Sequence, residues 1–318
     1  MRIFVEPWQA DYGSPYNIDA DEPPPGNVEI VEDSGQFTIH PAAGDAERAP
    51  VAFVDGVRRA EAWLYQEDPE SGALVRGIAG SFCVGAAIAG RARCTLEPAT
   101  AVRLLAWGSG FSGNLPSTSG GWSWTTVSIA DDAPDAPLRA VQNRMRETEA
   151  RVAESLASQG TLTIVDGPLT FVRTYELPVV GYIKTHHRAL LTPADHRRVS
   201  ALKSGERTSL FRLGEDRFSC YLRIAAPAID AGPWSGIVRI EIPQVVGIER
   251  AVSTAERVCS SLPRFAGVAH ADPRAPQNLQ PVGGLEAHLR HLLGDSRLAG
   301  RAVRESVRAL TTTQQEVG

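Results

Sequence analysis

Apolar and polar positions change period along the chain, and the changes mark out its elements. Val51-Ala52-Phe53-Val54 is an unbroken apolar run closed by Asp55-Gly56, the pattern of a strand buried on both faces. Strand-like segments follow at 59–66 and 73–83, separated by the turn-forming Asp68-Pro69-Glu70-Ser71-Gly72, which predicts a three-strand meander. Leu138, Val141, Met145, Val152 and Leu156 recur at three- and four-residue steps and predict a helix over 137–158, ended by Gly160. Directly after it, Thr161-Leu162-Thr163-Ile164-Val165-Asp166-Gly167 repeats the first strand's signature. Further strands are predicted at 177–183, 208–213, 217–225 and near 235–242, and helices at 193–203, 248–260 and 284–310, the last broken near Gly294. Strands interleaved with helices in this way define an α/β fold, a mixed sheet flanked by helices.

Two regions depart from this rhythm. Residues 1–50 are rich in Asp and Glu and interrupted by Pro23-Pro24-Pro25-Gly26, so they read as an irregular arm that wraps a surface or meets a partner. Residues 84–135 are rich in Gly and Ser around 109–121 and read as an insertion within a domain spanning 51–318. Trp122 and Trp124 alternate there as on a strand, which favours core or interface packing over base stacking.

A hydrophobic share of 43% over 318 residues supplies an ample core. A net charge of −5 argues against coating nucleic acid by bulk electrostatics, so any polyanion must meet a local basic face, a metal ion or a partner. The four cysteines never form a C-x-x-C pair, which leaves neither a zinc ribbon nor a redox motif. Cys83, Cys94 and Cys220 lie in or beside apolar segments and read as reduced core thiols, as does Cys259 on its helix. No run approaches a bilayer span and the first residues carry no leader pattern, which predicts a cytoplasmic protein. A G-x-x-x-x-G-K-[ST] loop is also missing, so ATP hydrolysis is not expected of this chain.

An acidic residue after three apolar ones is expected to emerge where its strand stops, at the carboxyl edge where open α/β sheets bind ligands. If the strands of Asp55 and Asp166 are parallel neighbours joined through the helix of 137–158, both carboxylates meet in one crevice. Like charges held together in a dry site require a cation or a shared proton, and hard oxygen donors without clustered His or Cys favour Mg²⁺ or Mn²⁺. A single Val-Asp-Gly reads first as a turn, with Asp capping amides and Gly at positive φ. Two copies beside a helix carrying Glu147, Glu149 and Glu154 favour a site. Glu147 and Glu154 share a helix face, whereas Glu149 lies about 200° round from Glu147. Arg144, Arg146 and Arg151 offer local ion pairs, so some of these glutamates are ordinary solvated residues. His186, His187, Arg188, His196, Arg197 and Arg198 form a basic cluster that reads either as a phosphate-tracking face or as solvated surface.

The ordered series Phe53-Val54-Asp55-Gly56, a glutamate-bearing helix, Ile164-Val165-Asp166-Gly167-Pro168-Leu169, Val180-Gly181-Tyr182-Ile183-Lys184-Thr185 and Ala287-His288 resembles the NurA nucleases over about residues 50–310. The resemblance implies an RNase H-like core acting as a homodimer on DNA beside a HerA-type hexameric ATPase, in end resection or antiviral defence. It implies Mn²⁺- or Mg²⁺-assisted phosphodiester hydrolysis, with a pair of ions and exonucleolytic, Mn²⁺-preferring action. Asp55 and Asp166 would then bind metal, with a helix glutamate as third acidic ligand. Glu147, nineteen residues before Asp166, is chosen and Glu154 is the alternative. His288 matches the family's late histidine, at the metal or orienting the attacking water; the competing reading is an exposed helix histidine like His291. Lys184 would offset charge on the scissile phosphate, or else is a solvated strand-end lysine, and His187, Arg188, Arg197 and Arg198 would follow the nucleic-acid backbone. The sequence departs from the family in having Asp55-Gly56-Val57 for Asp-Gly-Ser and Val282-Gly283-Gly284 for bulkier residues. A competing reading is a non-catalytic adaptor that docks a translocase with a degenerate site; a phosphoryl-transfer enzyme using the same carboxylates on a small molecule is a third.

Overall fold

The longest apolar segments of the chain form the middle of one mixed sheet. In this computed structural model the described residues are 3–5, 28–41, 49–173, 179–184, 190–226, 233–268, 270 and 275–317. The strands are β1 (Ile3–Val5), β2 (Ile39–His40), β3 (Val51–Glu67), β4 (Leu74–Ala89), β5 (Cys94–Leu96), β6 (Val102–Trp107), β7 (Thr125–Ser128), β8 (Leu162–Asp166), β9 (Val179–Ile183), β10 (Arg207–Thr208), β11 (Phe211–Leu213), β12 (Arg217–Arg223) and β13 (Ile237–Pro243). The helices are α1 (Ala136–Ser158), α2 (Pro193–Ser200), α3 (Ile248–Ser261), α4 (Gln280–Leu292) and α5 (Ser296–Val317). The sheet runs β2-β10-β12-β13-β9-β8-β3-β4-β6-β7, with β1 on β3, β5 on β4 and β11 on β12.

Its centre is an antiparallel β3-β4-β6 unit followed by α1, after which β8 returns parallel to β3 and β9 parallel to β8. This is the RNase H-like arrangement that the resemblance implies. α1 lays Val141, Met145, Ala153 and Leu156 on one face, against Val54, Val165 and Val179. α3 and α4 cover the other, where Val258, Leu285 and Leu289 join Phe53, Ile164 and Ile240.

The predicted three-strand meander is a two-strand hairpin, because β3 runs unbroken from Val51 to Glu67. The charges that interrupt its apolar pattern find partners for most of their polar atoms, Arg59 and Glu61 pairing with each other at 3.1 Å while Arg59 Nε and Glu61 Oε2 are left without one among the described residues. Arg59 donates to the carbonyls of Gly294 (2.7 Å) and Leu293 (3.1 Å), Glu61 accepts from Ser81 Oγ at 2.6 Å, and a register shift between Ala60 and Ala62 accommodates them. Within 84–135, residues 84–89 continue β4, and β6 and β7 extend the same sheet. Trp124 packs on the cluster of Leu64, Trp107 and Val303, and Arg103 stacks over Trp122 at 4.1 Å. The expected helix of 284–310 is α4 and α5, separated at Gly294 (φ +73°). Cys83, Cys220 and Cys259 are buried, but Cys94 is exposed, because it opens the solvent-facing edge strand β5. Among the described residues no helix is long and apolar enough to cross a membrane.

Part of the N-terminal arm is built into the far edge of the sheet. Residue 30 bridges to Phe211, β2 pairs with β10, and Glu32 receives Arg207 in a bidentate pair at 2.8 and 2.9 Å. Arg207 is 1% exposed, so its charge depends on that carboxylate. Glu32→Ala should therefore cost about 3–5 kcal/mol in urea unfolding, since it strands a buried guanidinium. Glu29→Ala, which breaks the exposed pair with Arg212, should cost less than about 1 kcal/mol. Equal costs would show that the arm is not anchored through Glu32.

Candidate metal centre

The parallel strand β8 ends at Asp166, so beyond Val54 one flank of β3 has no parallel neighbour. The two aspartates come together there as the sequence anticipates, with one difference. Asp55 does not sit at the end of its strand; β3 continues past it, and Asp55 stands opposite Gly85 of β4. It is the end of the neighbouring strand that opens the crevice. By the two-residue alternation of a strand, Asp55 follows Phe53 and Asp166 follows Ile164, so both point to the face that α4 covers.

From α4, Glu286 reaches the same place. One carboxylate oxygen each of Asp55, Asp166 and Glu286 lies within 4.8 Å of the others. Asp55 is 7% and Glu286 5% exposed. Burial, with Asp166 and Glu149 adding like charge, holds the Asp55 carboxyl well above the usual carboxylate range. Arg290 Nη2 donates to Glu286 at 2.8 Å, and Lys184 Nζ donates to Asp166 Oδ2 and, at 2.9 Å, to the buried Asn278 Oδ1. Tyr182 donates its hydroxyl to the Gln277 carbonyl at 2.7 Å, and burial pushes that phenol up, so it remains a donor. Two adjacent residues, Gln277 and Asn278, thus latch the end of β9 to the start of the helix that carries Glu286.

α1 contributes a different glutamate from the one expected. Glu147 points outward and pairs with Arg144 at 3.0 Å, and Glu154 accepts from the Arg173 amide at 2.6 Å. Glu149, 6% exposed, is the helix glutamate beside the centre; burial, reinforced by Asp166 and opposed by Arg146, pushes its carboxyl up to about 7. The reason is helical register. Glu149 lies one and two turns beyond Met145 and Val141, inside the apolar stripe that faces the sheet, whereas Glu147 lies outside it. The same signal marks Glu286, which sequence reasoning missed: it stands at i+4 from Val282 in a stripe with Leu285 and Leu289. His288, two residues further round α4 and half-buried, is not brought into the acidic group.

The two Val-Asp-Gly glycines serve different needs. Gly167 has a positive φ of +127° with open space around it, as a turn glycine should. Gly56 is ordinary in φ; a Cβ there would lie 2.4 Å from Glu149 Oε1 and 2.8 Å from Met145 Cγ. Its missing side chain is the slot through which Glu149 approaches the centre from the opposite face of the sheet.

Of the predicted basic cluster, His186, His187 and Arg188 lie outside the described residues, and Arg197 is exposed. Arg198 instead anchors the arm: it donates to the Phe37 carbonyl at 2.9 Å and stacks over that ring at 4.6 Å. A second acidic group, Glu32, Asp33 and His40, is internally satisfied, Glu32 by Arg207 and Asp33 by His40 (2.8 Å) and Ser209 (2.7 Å).

An RNase H-like sheet with carboxylates converging where the parallel strand β8 stops defines the class: an α/β protein with a candidate hard-cation centre. A family model of the NurA domain matches residues 28–282, well over half of the chain, and the chain belongs to the NurA family of nucleases. Among solved structures it is similar to the NurA nuclease from Sulfolobus solfataricus, at 10% identity over 88% of this chain and 87% of that one, with a TM-score of 0.44. It is also similar to the catalytic domain of human Endonuclease V, at 15% identity over 80% of this chain and 87% of that one, with a TM-score of 0.37. No curated protein matches it.

Proposed function

We propose that this chain is a divalent-metal-dependent DNA nuclease whose Asp55, Asp166 and Glu286 hold the metal. The observation that carries the reading is the convergence of three carboxylates, two of them buried, with donor oxygens within 4.8 Å of one another. The donor set fits such an ion: it offers only hard oxygen ligands, suited to Mg²⁺ or Mn²⁺, and a cation would offset both the burial and the like-charge repulsion that hold Asp55 toward its protonated form. When bound, divalent ions supply Lewis acidity to a phosphodiester and lower the pKa of water.

The chain's own groups supply the rest. Glu149, with its carboxyl pushed up to about 7, can accept or return a proton near neutral pH beside the metal ligands. Lys184 Nζ, oriented by Asp166 and Asn278, is placed to offset negative charge on a phosphate entering the crevice. The reading extends to exonucleolytic, Mn²⁺-preferring action by a cytoplasmic homodimer beside a HerA-type hexameric ATPase, in DNA end processing or antiviral defence; membership of the NurA family supports that part.

The test uses purified full-length protein on end-labelled linear and circular DNA with Mn²⁺, Mg²⁺ or EDTA, with and without the translocase. Linear DNA should be degraded with Mn²⁺ and left intact in EDTA. A protein that cleaves neither substrate with any metal or partner would be an adaptor. Within the active protein, Glu149→Gln should lower kcat by ~10²-fold or more, because it removes the proton-handling group. Glu147→Gln should stay within about twofold of the parent, as a solvated surface change does. The reverse order of effects would return the role to Glu147.

A further inference from the structure

We propose that the outer face of α5 docks the sugar-phosphate backbone of nucleic acid, a reading that rests on the nuclease assignment above. Arg297, Arg301, Arg304 and Arg308 recur at steps of four, three and four residues. At about 100° per residue they fall within an arc of roughly 60°. All four are exposed. The opposite side of the helix holds Ala299, Ala302, Val303 and Ser306, all buried, with Val303 packed among Leu64, Trp107 and Leu115. α5 therefore presents one face to the core and a row of guanidinium groups to solvent.

Among the described residues, Arg301, Arg304 and Arg308 have no carboxylate partner, and Arg297 interacts only with Asp295. Glu305, on the flank of the row, is engaged with Ser119. In a chain of net charge −5, a row of unpaired like charges repels itself unless an anion answers it. The row spans about 16 Å at 1.5 Å per residue, the reach of several phosphates along a strand.

Its position relates it to the carboxylates. α5 starts directly after α4, which carries Glu286, and Arg59, four residues beyond Asp55 on β3, grips the carbonyls of Leu293 and Gly294 at the corner between the two helices. The row is thus fixed to the same strand and helix pair that supply two of the three carboxylates, and a regular spacing of charge suits the repeating anion of a nucleic-acid backbone better than an acidic protein.

The experiment measures binding of labelled single-stranded and duplex oligonucleotides to full-length protein across a salt series, in EDTA so that binding is read apart from turnover. The combined Arg301→Gln, Arg304→Gln, Arg308→Gln variant should bind ~10- to 10²-fold more weakly near 0.1 M salt, and its slope of log affinity against log salt should shrink by about 2–3. The matching Lys variant should keep the parent's slope, which separates charge from folding. Mn²⁺-dependent hydrolysis of the small ester bis(p-nitrophenyl) phosphate should be the same in all three proteins. Unchanged DNA affinity and slope in the Gln variant overturn the proposal, including the case in which that variant loses an acidic protein partner instead. Loss of the salt-dependent binding with no ester hydrolysis in any protein supports the docking face while removing the catalytic reading.

Discussion

Replacing Asp55 by asparagine should abolish metal-dependent DNA cleavage, lowering kcat by ~10³-fold or more, about 4 kcal/mol of transition-state stabilisation. Asparagine keeps the shape and the carbonyl oxygen but removes the charge, leaving a divalent ion only Asp166 and Glu286, whose charges Lys184 and Arg290 already offset, in a crevice where Asp55 is only 7% exposed. The same substitution should leave the metal-free protein more stable at alkaline pH than the parent. The Asp55 carboxyl binds its proton more tightly in the folded chain than in the unfolded one. Its favourable contribution is therefore complete below about pH 4, the unfolded value, and is lost as pH rises through the raised folded value. An asparagine has no proton to lose. In EDTA, urea midpoints of parent and variant should be close near pH 4 and diverge in the variant's favour toward pH 8. Adding Mn²⁺ should reverse the order, since only the parent gains from binding. A variant that still cleaves DNA, or that destabilises the metal-free chain at pH 8, would mean that Asp55 is not a repelled ligand awaiting a cation.

Much of this centre could be read from the sequence, and the parts that could not share a cause. Two short apolar runs ending in Asp-Gly, with a long amphipathic helix before the second, are enough to place β3 and β8 side by side and to bring Asp55 and Asp166 together. Local pattern is strong there because both strands are buried on both faces. Distance along the chain from Asp166 singled out Glu147, whereas the structure sets Glu149 beside the two aspartates. The deciding quantity was angle around the helix, and a charged residue within the apolar stripe of Val141 and Met145 already pointed to Glu149. Glu286 sits in a comparable stripe, but Gly283 and Gly284 weaken the helix signal at its start, and nearby His288 is the more conspicuous ligand type. The continuation of β3 beyond Asp55 was hidden by Arg58, Arg59 and Glu61, whose partners lie far away in sequence at Gln142, Ser81 and the α4–α5 corner. No local window contains those partners. For the same reason the arginine row of α5 passes unnoticed in the linear text: its members are separated by apolar residues that turn the other way.

Gly56→Ala should damage activity more than its size suggests and more than Gly167→Ala does. At position 56 the backbone is one that alanine adopts freely, so the penalty is contact alone: the new methyl would stand 2.4 Å from Glu149 Oε1 and 2.8 and 3.0 Å from Met145 Cγ and Sδ. Those neighbours are the movable ends of long side chains, so the fold can yield at a cost of about 1–3 kcal/mol. What yields is the carboxylate that has to approach the metal ligands through that slot. kcat should fall by ~10- to 10²-fold, at most the loss expected of Glu149→Gln, since a displaced carboxylate keeps part of the proton handling that the amide removes altogether. At Gly167 nothing lies within 4 Å and the obstacle is the +127° backbone. Alanine there should cost about 1–3 kcal/mol of strain while leaving Glu149 where it is. The decisive measurement is a double-mutant cycle in kcat. In a Glu149→Ala background the carboxylate is already gone, so adding Gly56→Ala should lower kcat by no more than about twofold, a coupling of about 1–2 kcal/mol. If the two substitutions multiply instead, the gap at Gly56 serves packing alone, and Glu149 does not act through it.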